Sequence, residues 1–118
     1  MSKRILIIDD DKELCEELSE ILKEEGFDAD YTLTPAGGKN LLKTNAYDII
    51  LLDFKLPQMN GIDFLKGIKR EVKNQKIFII SGSLSIKNLI DEQNLSHLVS
   101  GVFSKPFDIK ALLKELKK

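Results

Sequence analysis

The feature that most constrains this chain is an alternation. Short runs rich in β-branched residues occur at Arg4–Ile8, Asp48–Leu52, Lys76–Ile80 and Val99–Phe103, with a weaker one at Asp28–Leu33. They show little polar alternation, as strands do when both faces of their sheet are covered. Segments with helical spacing lie between them. Leu14, Leu18, Ile21 and Leu22 form one stripe; Ile62, Leu65, Ile68 and Val72 form another; Ile109, Leu112, Leu113 and Leu116 form the last, opened by Asp108.

Two helices have weaker patterns. The second, Pro35–Thr44, contains Gly37-Gly38 and only Leu41 and Leu42 as strong apolar residues. The fourth, Ser85–Asn94, has Ile86, Leu89 and Ile90 and then loses its period. Asp10 with Glu13 has the spacing of a capping box for the first helix, with Asp11 as the alternative cap, and Gly26 reads as its stop.

Five strands alternating with five helices imply an α/β fold. It is a doubly wound, five-stranded parallel sheet with right-handed crossovers and helices on both faces. The whole chain, 1–118, reads as one domain without an attached output domain. The charge balance, 18 basic against 19 acidic residues, excludes a nucleic-acid binder that works by bulk charge. The single Cys15 excludes an intramolecular disulfide. The first apolar run ends after Ile8 at three aspartates, too short for a signal peptide, so a cytoplasmic protein is expected. No segment is long and apolar enough to suggest a membrane span.

In a sheet of this kind, ligands bind outside the carboxyl ends of the strands. Asp9-Asp10-Asp11 follow the first run, Asp53 the third, Ser81-Gly82 the fourth and Lys105-Pro106 the last. Convergence would gather up to four carboxylates, a hydroxyl and an ammonium. Capping of the first helix is enough to explain any one of Asp9–Asp11 alone. It does not explain Asp53, because no helix starts before about Gly61. Crowded carboxylates repel one another, and a divalent cation or an ammonium resolves that. An aspartate can attack phosphorus to give an acyl phosphate while metal and lysine neutralise the transferring group.

With these residues assembled, the chain resembles the receiver domain of two-component response regulators. The carrying segments are Ile5-Leu6-Ile7-Ile8-Asp9-Asp10-Asp11, Ile50-Leu51-Leu52-Asp53 with Leu56-Pro57 and Asn60-Gly61, Ile79-Ile80-Ser81-Gly82, and Lys105-Pro106-Phe107. The resemblance implies the flavodoxin-like (βα)5 strand order 2-1-3-4-5 and a cis Lys105-Pro106 bond. It implies Asp53 as phosphoacceptor, with Ser81 and Lys105 contacting the phosphoryl group. It also implies Mg²⁺ held by Asp10, by Asp9 through water, by Asp53 and by the backbone carbonyl of Lys55. The implied partners are a sensor histidine kinase or phosphotransfer protein, and a downstream protein on the face made by helix four, strand five and helix five. Such a domain is a phosphoacceptor switch and not a turnover enzyme.

Three departures stand out. The family usually carries an aromatic residue three positions before the lysine; here Val102 stands there, with Phe103 adjacent, so the switch pair would be Ser81 and Val102. The stretch from Ser81 to Lys105 is long, and Leu98-Val99 replaces the usual Gly-Ala pair. Lys55 adds a cation two residues after Asp53 and is expected to point into solvent. The alternatives are a pseudo-receiver that binds partners without phosphorylation and a receiver cut from a longer regulator. A phosphatase of the haloacid-dehalogenase kind is disfavoured by Glu13, and a flavodoxin-type cofactor binder by the lack of a Ser/Thr-rich loop after the first strand.

Overall fold

The computed structural model describes residues 3–56, 59–68, 74–82 and 86–118. The strands of its main sheet are β1 (Arg4–Ile8), β2 (Asp28–Thr32), β3 (Ile49–Asp53), β4 (Lys76–Ser81) and β5 (Gly101–Ser104). All neighbouring pairs are parallel, in the order β2-β1-β3-β4-β5. The helices are α1 (Lys12–Glu24), α2 (Pro35–Thr44), α3 (Gly61–Ile68), α4 (Ile86–Glu92) and α5 (Ile109–Leu116). A two-residue antiparallel hairpin, Lys55–Leu56 against Met59–Asn60, leads from β3 into α3.

The unbroken apolar runs are sorted by the pleat, because successive side chains on a strand point to opposite faces. Leu6, Ile8, Ile50, Leu52, Ile77 and Ile79 join Phe64, Leu65, Ile68, Ile86 and Ile90 of α3 and α4, with Leu41 and Leu42 of α2 packed alongside. Ile5, Ile7, Ile49, Leu51, Phe78 and Ile80 join Cys15, Leu18 and Leu22 of α1 and Leu112 and Leu116 of α5. Each fully buried Ile or Leu contributes about 1.5–3 kcal/mol relative to exposure. Two cores therefore clamp the central strands from both sides.

Local signals set the ends. The capping choice falls on Asp11, whose Oδ1 accepts the Leu14 amide at 3.1 Å, and not on Asp10. After α1, Gly26 takes φ +94° while its N–H and that of Phe27 donate to the carbonyls of Lys23 and Leu22. Those are the bonds of a left-handed helix stop, where glycine carries no Cβ penalty. After α4, Asn94 at φ 58° takes the same turn and lets buried Leu95 fold back to the Ile90 carbonyl.

Several boundaries differ from the sequence expectation. β5 begins at Gly101 and not at Val99, because a single 3₁₀ turn, Ser96–Leu98, precedes it and packs Leu98 and Val99 on the α3–α4 core. Helix α4 starts at Ile86; Ser85, and Val72 of the third helical stripe, lie outside the described residues. The glycines of α2 have a packing reason. A Cβ on Gly38 would lie 2.8 Å from Ile8 Cδ1 and 3.3 Å from Phe64 Cζ, so α2 approaches the sheet closely only because Gly38 lacks one. Thr34 caps this helix through its Oγ1, which accepts the Gly37 amide at 3.0 Å. No helix among the described residues is long and apolar enough to cross a membrane.

Gly38→Val is expected to lower the unfolding free energy by roughly 1–3 kcal/mol through overpacking, despite valine's better helix propensity. Urea denaturation reads this as a lower midpoint at constant slope. An unchanged midpoint would contradict the close approach of α2.

Candidate functional site

The strand ends meet because the register aligns them. Ile8 pairs with Leu52, Asp53 with Ile80, and Ser81 with Ser104. Asp9, Asp53, Ser81 and Lys105 thus emerge along one edge, within a residue or two of the ladder's last rung. Main-chain bonds carry the ladder past this point. Asp9 N–H donates to the Thr32 carbonyl at 3.2 Å, Phe54 N–H to Ile80 at 3.0 Å and Lys105 N–H to Ser81 at 2.8 Å. The Lys105-Pro106 bond is cis.

Carboxylate oxygens of Asp9, Asp10 and Asp53 lie within 4.8 Å of one another. Asp9 is 1% exposed and Asp53 7%, whereas Asp10 faces solvent. Lys105 Nζ stands 3.1 Å from Asp9 Oδ2 and 3.5 Å from Asp53 Oδ2. The other Asp9 oxygen accepts the Asp11 amide at 3.0 Å. Asp9 is therefore held on both oxygens, and Asp10 is the most open of the three carboxylates.

This charge pattern controls the lysine. Burial works against the ammonium. The hydrogen bond and charge of Asp9, then the charge of Asp53, outweigh it and hold the Lys105 pKa above the ordinary 10.5. A raised lysine pKa stabilises the fold fully below the unfolded value and ceases to do so as pH rises through the folded value. On the lysine's side the pairing is therefore constant near neutrality and fades in strong alkali. Deleting one partner of a fully buried pair costs about 3–5 kcal/mol; the cost is lower here because Lys105 keeps about a third of its surface in water.

Among the described side chains, the Lys105 ammonium faces three carboxylates and does not balance them alone. Hard oxygen donors at this spacing suit a hard divalent cation completed by water, and not a soft thiolate-seeking metal.

Ser81 ends β4 at 3% exposure, one rung from Asp53. The backbone of Lys55 lies in the hairpin opposite Asn60; its side chain, expected in solvent, lies outside the described residues, as does Pro57. Asp11 turns away to cap α1, so three carboxylates converge and not four. Val102 packs toward the α3–α4 core, and Phe103 packs on the opposite face, 5.7 Å from the Phe78 ring centroid. Strand alternation thus stops Phe103 from substituting for the missing aromatic at 102. Beside Val102 a cleft of about 220 Å³ opens, lined by Lys87, Ile90, Asp91, Val99 and Gly101. His97, on the 3₁₀ turn, is exposed.

One neighbour was not legible in the sequence as part of the site. The buried Cys15 thiol donates to the Asp9 carbonyl at 3.4 Å, bracing the start of the acidic turn. Burial first, then the charges of Asp9 and Asp11, push its pKa up to about 12, so it stays a thiol. Its apolar position in α1 indicated packing; only the fold brings it under Asp9.

The family model described as response regulator receiver domain matches residues 5–117. The cell cycle transcriptional regulator CtrA of Caulobacter vibrioides is 41% identical over 83 residues, 70% of this chain but 36% of that protein. The chain thus spans about a third of that relative's length. Sporulation initiation phosphotransferase F of Bacillus subtilis is 29% identical over 118 residues, 100% of this chain and 94% of that protein. Among solved structures, the response regulator TrrA of Thermotoga maritima in complex with Mg(2+)-BeF superposes with a TM-score of 0.81 at 25% identity, covering 98% of this chain and 96% of that one.

Asp10→Asn removes one like charge without touching the Lys105 pairs. In chelator it is expected to raise stability by about 1 kcal/mol, the scale of a like-charge contact near water. Excess Mg²⁺ should then stabilise the wild type more than the variant. Equal thermal shifts on Mg²⁺ addition would remove Asp10 from the metal site.

Proposed function

Because the chain belongs to the response regulator receiver domain family, we propose that it is a phosphorelay switch whose phosphoacceptor is Asp53. The observation that carries this reading is the position of Asp53. It ends the central strand, with the Asp9 and Asp10 carboxylates within 4.8 Å, Lys105 at 3.5 Å and the strand end bearing Ser81 alongside. Asp9 has both oxygens engaged and Asp10 stands in solvent, whereas Asp53 is sheltered at the end of the central strand.

In this reading a phosphohistidine is presented by a sensor histidine kinase or a phosphotransfer protein. An Asp53 oxygen attacks phosphorus. The phosphorus–nitrogen bond breaks, its electron pair returns to the imidazole, and an acyl phosphate remains on Asp53. Lys105 moves from sharing the carboxylates to pairing with the phosphoryl oxygens, and the Ser81 hydroxyl donates to one of them. Asp10, Asp9 through water, Asp53 and the Lys55 carbonyl would hold Mg²⁺, which when bound supplies charge neutralisation of the transferring group. Water later attacks phosphorus and releases inorganic phosphate, restoring the carboxylate. This is a self-limiting switch and not turnover of a free substrate.

The output is a change of surface. Movement of Ser81 and Lys105 pulls on the strand ends of β4 and β5 and alters the face formed by α4, β5 and α5, where a downstream protein would bind. Among the described residues, Leu89 on α4 is the large apolar side chain that stands exposed, at 38%. With Val102 in place of a ring, that face changes through α4 and the β5 main chain and not through an aromatic rotamer. The working compartment in this reading is the cytoplasm, with no direct contact to nucleic acid or membrane.

Asp53→Asn is expected to take up no phosphoryl group from a small acyl-phosphate donor with Mg²⁺, read by intact mass; labelling at the wild-type level would overturn the assignment. Lys105→Ala is expected to keep Mg²⁺ binding and lose most of the amide chemical-shift response to phosphorylation. An undiminished response would remove Lys105 from the switch.

A further inference from the structure

Phe54, directly after the proposed acceptor, is tied at three points. Its N–H donates to the Ile80 carbonyl at 3.0 Å, bridging β3 to the strand that ends in Ser81. Its carbonyl accepts the Gly61 N–H at 2.8 Å, closing the base of the Lys55–Leu56/Met59–Asn60 hairpin. Its ring, 6% exposed, belongs to the same buried cluster as Leu52, Ile62, Ile79 and Ile86. The ring also lies directly against Gly61, the first residue of α3. A Cβ there would overlap Cδ1 and stand 2.8 Å from Cε1 and 3.0 Å from Cγ. The overlap falls at the root of the ring as well as on its flank. A small swing of the ring tip cannot relieve it.

We propose that Phe54 and Gly61 form a steric latch that positions the main chain just after Asp53, including the Lys55 carbonyl, and so sets the affinity for the divalent cation without touching it. This rests on the receiver reading. A side-chain carboxylate can adjust its torsions to meet a metal. A main-chain carbonyl cannot, unless the backbone around it is already held. One peptide separates the latched Phe54 from Lys55, and the two-residue ladder to Asn60 holds the far side. Groups that orient ligands from outside the coordination shell typically change metal affinity by 10–100-fold when mutated.

The test titrates Mg²⁺ calorimetrically into the wild type, Gly61→Ala, Phe54→Leu and the double variant, with Ile68→Val as a core control at the far end of α3. Gly61→Ala is expected to raise the Mg²⁺ dissociation constant at least about tenfold. Its maximal Asp53 phosphorylation should return at saturating Mg²⁺. Adding Phe54→Leu should recover part of that loss, because leucine lacks Cε1 and can turn its Cδ1 away from the added Cβ, while Phe54→Leu alone weakens binding less. Ile68→Val should lower stability and leave the dissociation constant unchanged. If Gly61→Ala does not fold, Phe54→Leu against Ile68→Val decides. Wild-type Mg²⁺ affinity in the folded latch variants, or an equal loss in Ile68→Val, would overturn the latch and leave the receiver reading standing. A wild type that binds no Mg²⁺ would overturn both.

Discussion

Everything at the carboxyl edge of the sheet depends on a charge deficit. Among the described side chains, three carboxylates are brought within 4.8 Å, two of them buried, and one ammonium, that of Lys105, stands among them. Lys105 holds Asp9 and Asp53 together, but its one charge does not match three carboxylates. In the proposed reading that remainder would make the edge receptive to a divalent cation, and a transferring phosphoryl group would in turn offer Lys105 a new partner. A site balanced by two lysines would be more stable and less responsive. The trade of stability for function is common where like charges are gathered.

The fold makes this possible by removing any freedom from the strands that carry the charges. β1, β3 and β4 are buried on both faces, and their register sets Asp9, Asp53 and Ser81 side by side. Main-chain bonds beyond the ladder, from Phe54 to Ile80 and from Lys105 to Ser81, extend that rigidity by one residue into the site. Helices α2, α3 and α4 cover one face and α1 and α5 the other. A shift at the β4 and β5 ends is therefore felt on both layers.

Much of this was legible in the chain. A β-branched run announces a strand, and the residue after it must lie at the edge, so Asp9, Asp53, Ser81 and Lys105 could be named together without coordinates. What escaped depended on approach between elements distant in sequence. Gly37-Gly38 looked like a flaw in α2, but Gly38 is where Ile8 and Phe64 press against the helix. The bond from Cys15 to the Asp9 carbonyl depends on how α1 tilts after its cap. The choice of Asp11 over Asp10 as that cap turns on backbone geometry that three consecutive aspartates do not distinguish. β5 began later than its apolar run because Leu98 and Val99 were apolar for packing on the α3–α4 core and not for pairing. The missing aromatic at 102 was visible at once. That Phe103 cannot replace it follows from the pleat, which the chain alone could suggest but not orient.

The most direct test of the charge-deficit site is paramagnetic broadening of backbone amide signals by substoichiometric Mn²⁺. Early, selective loss of the Asp10, Asp11 and Phe54 amides is expected, with the amides at the far end of α5 and at the start of β2 retained. Uniform broadening, or loss centred on another acidic surface such as Glu16-Glu17, would contradict a single cation site shared by Asp9, Asp10 and Asp53.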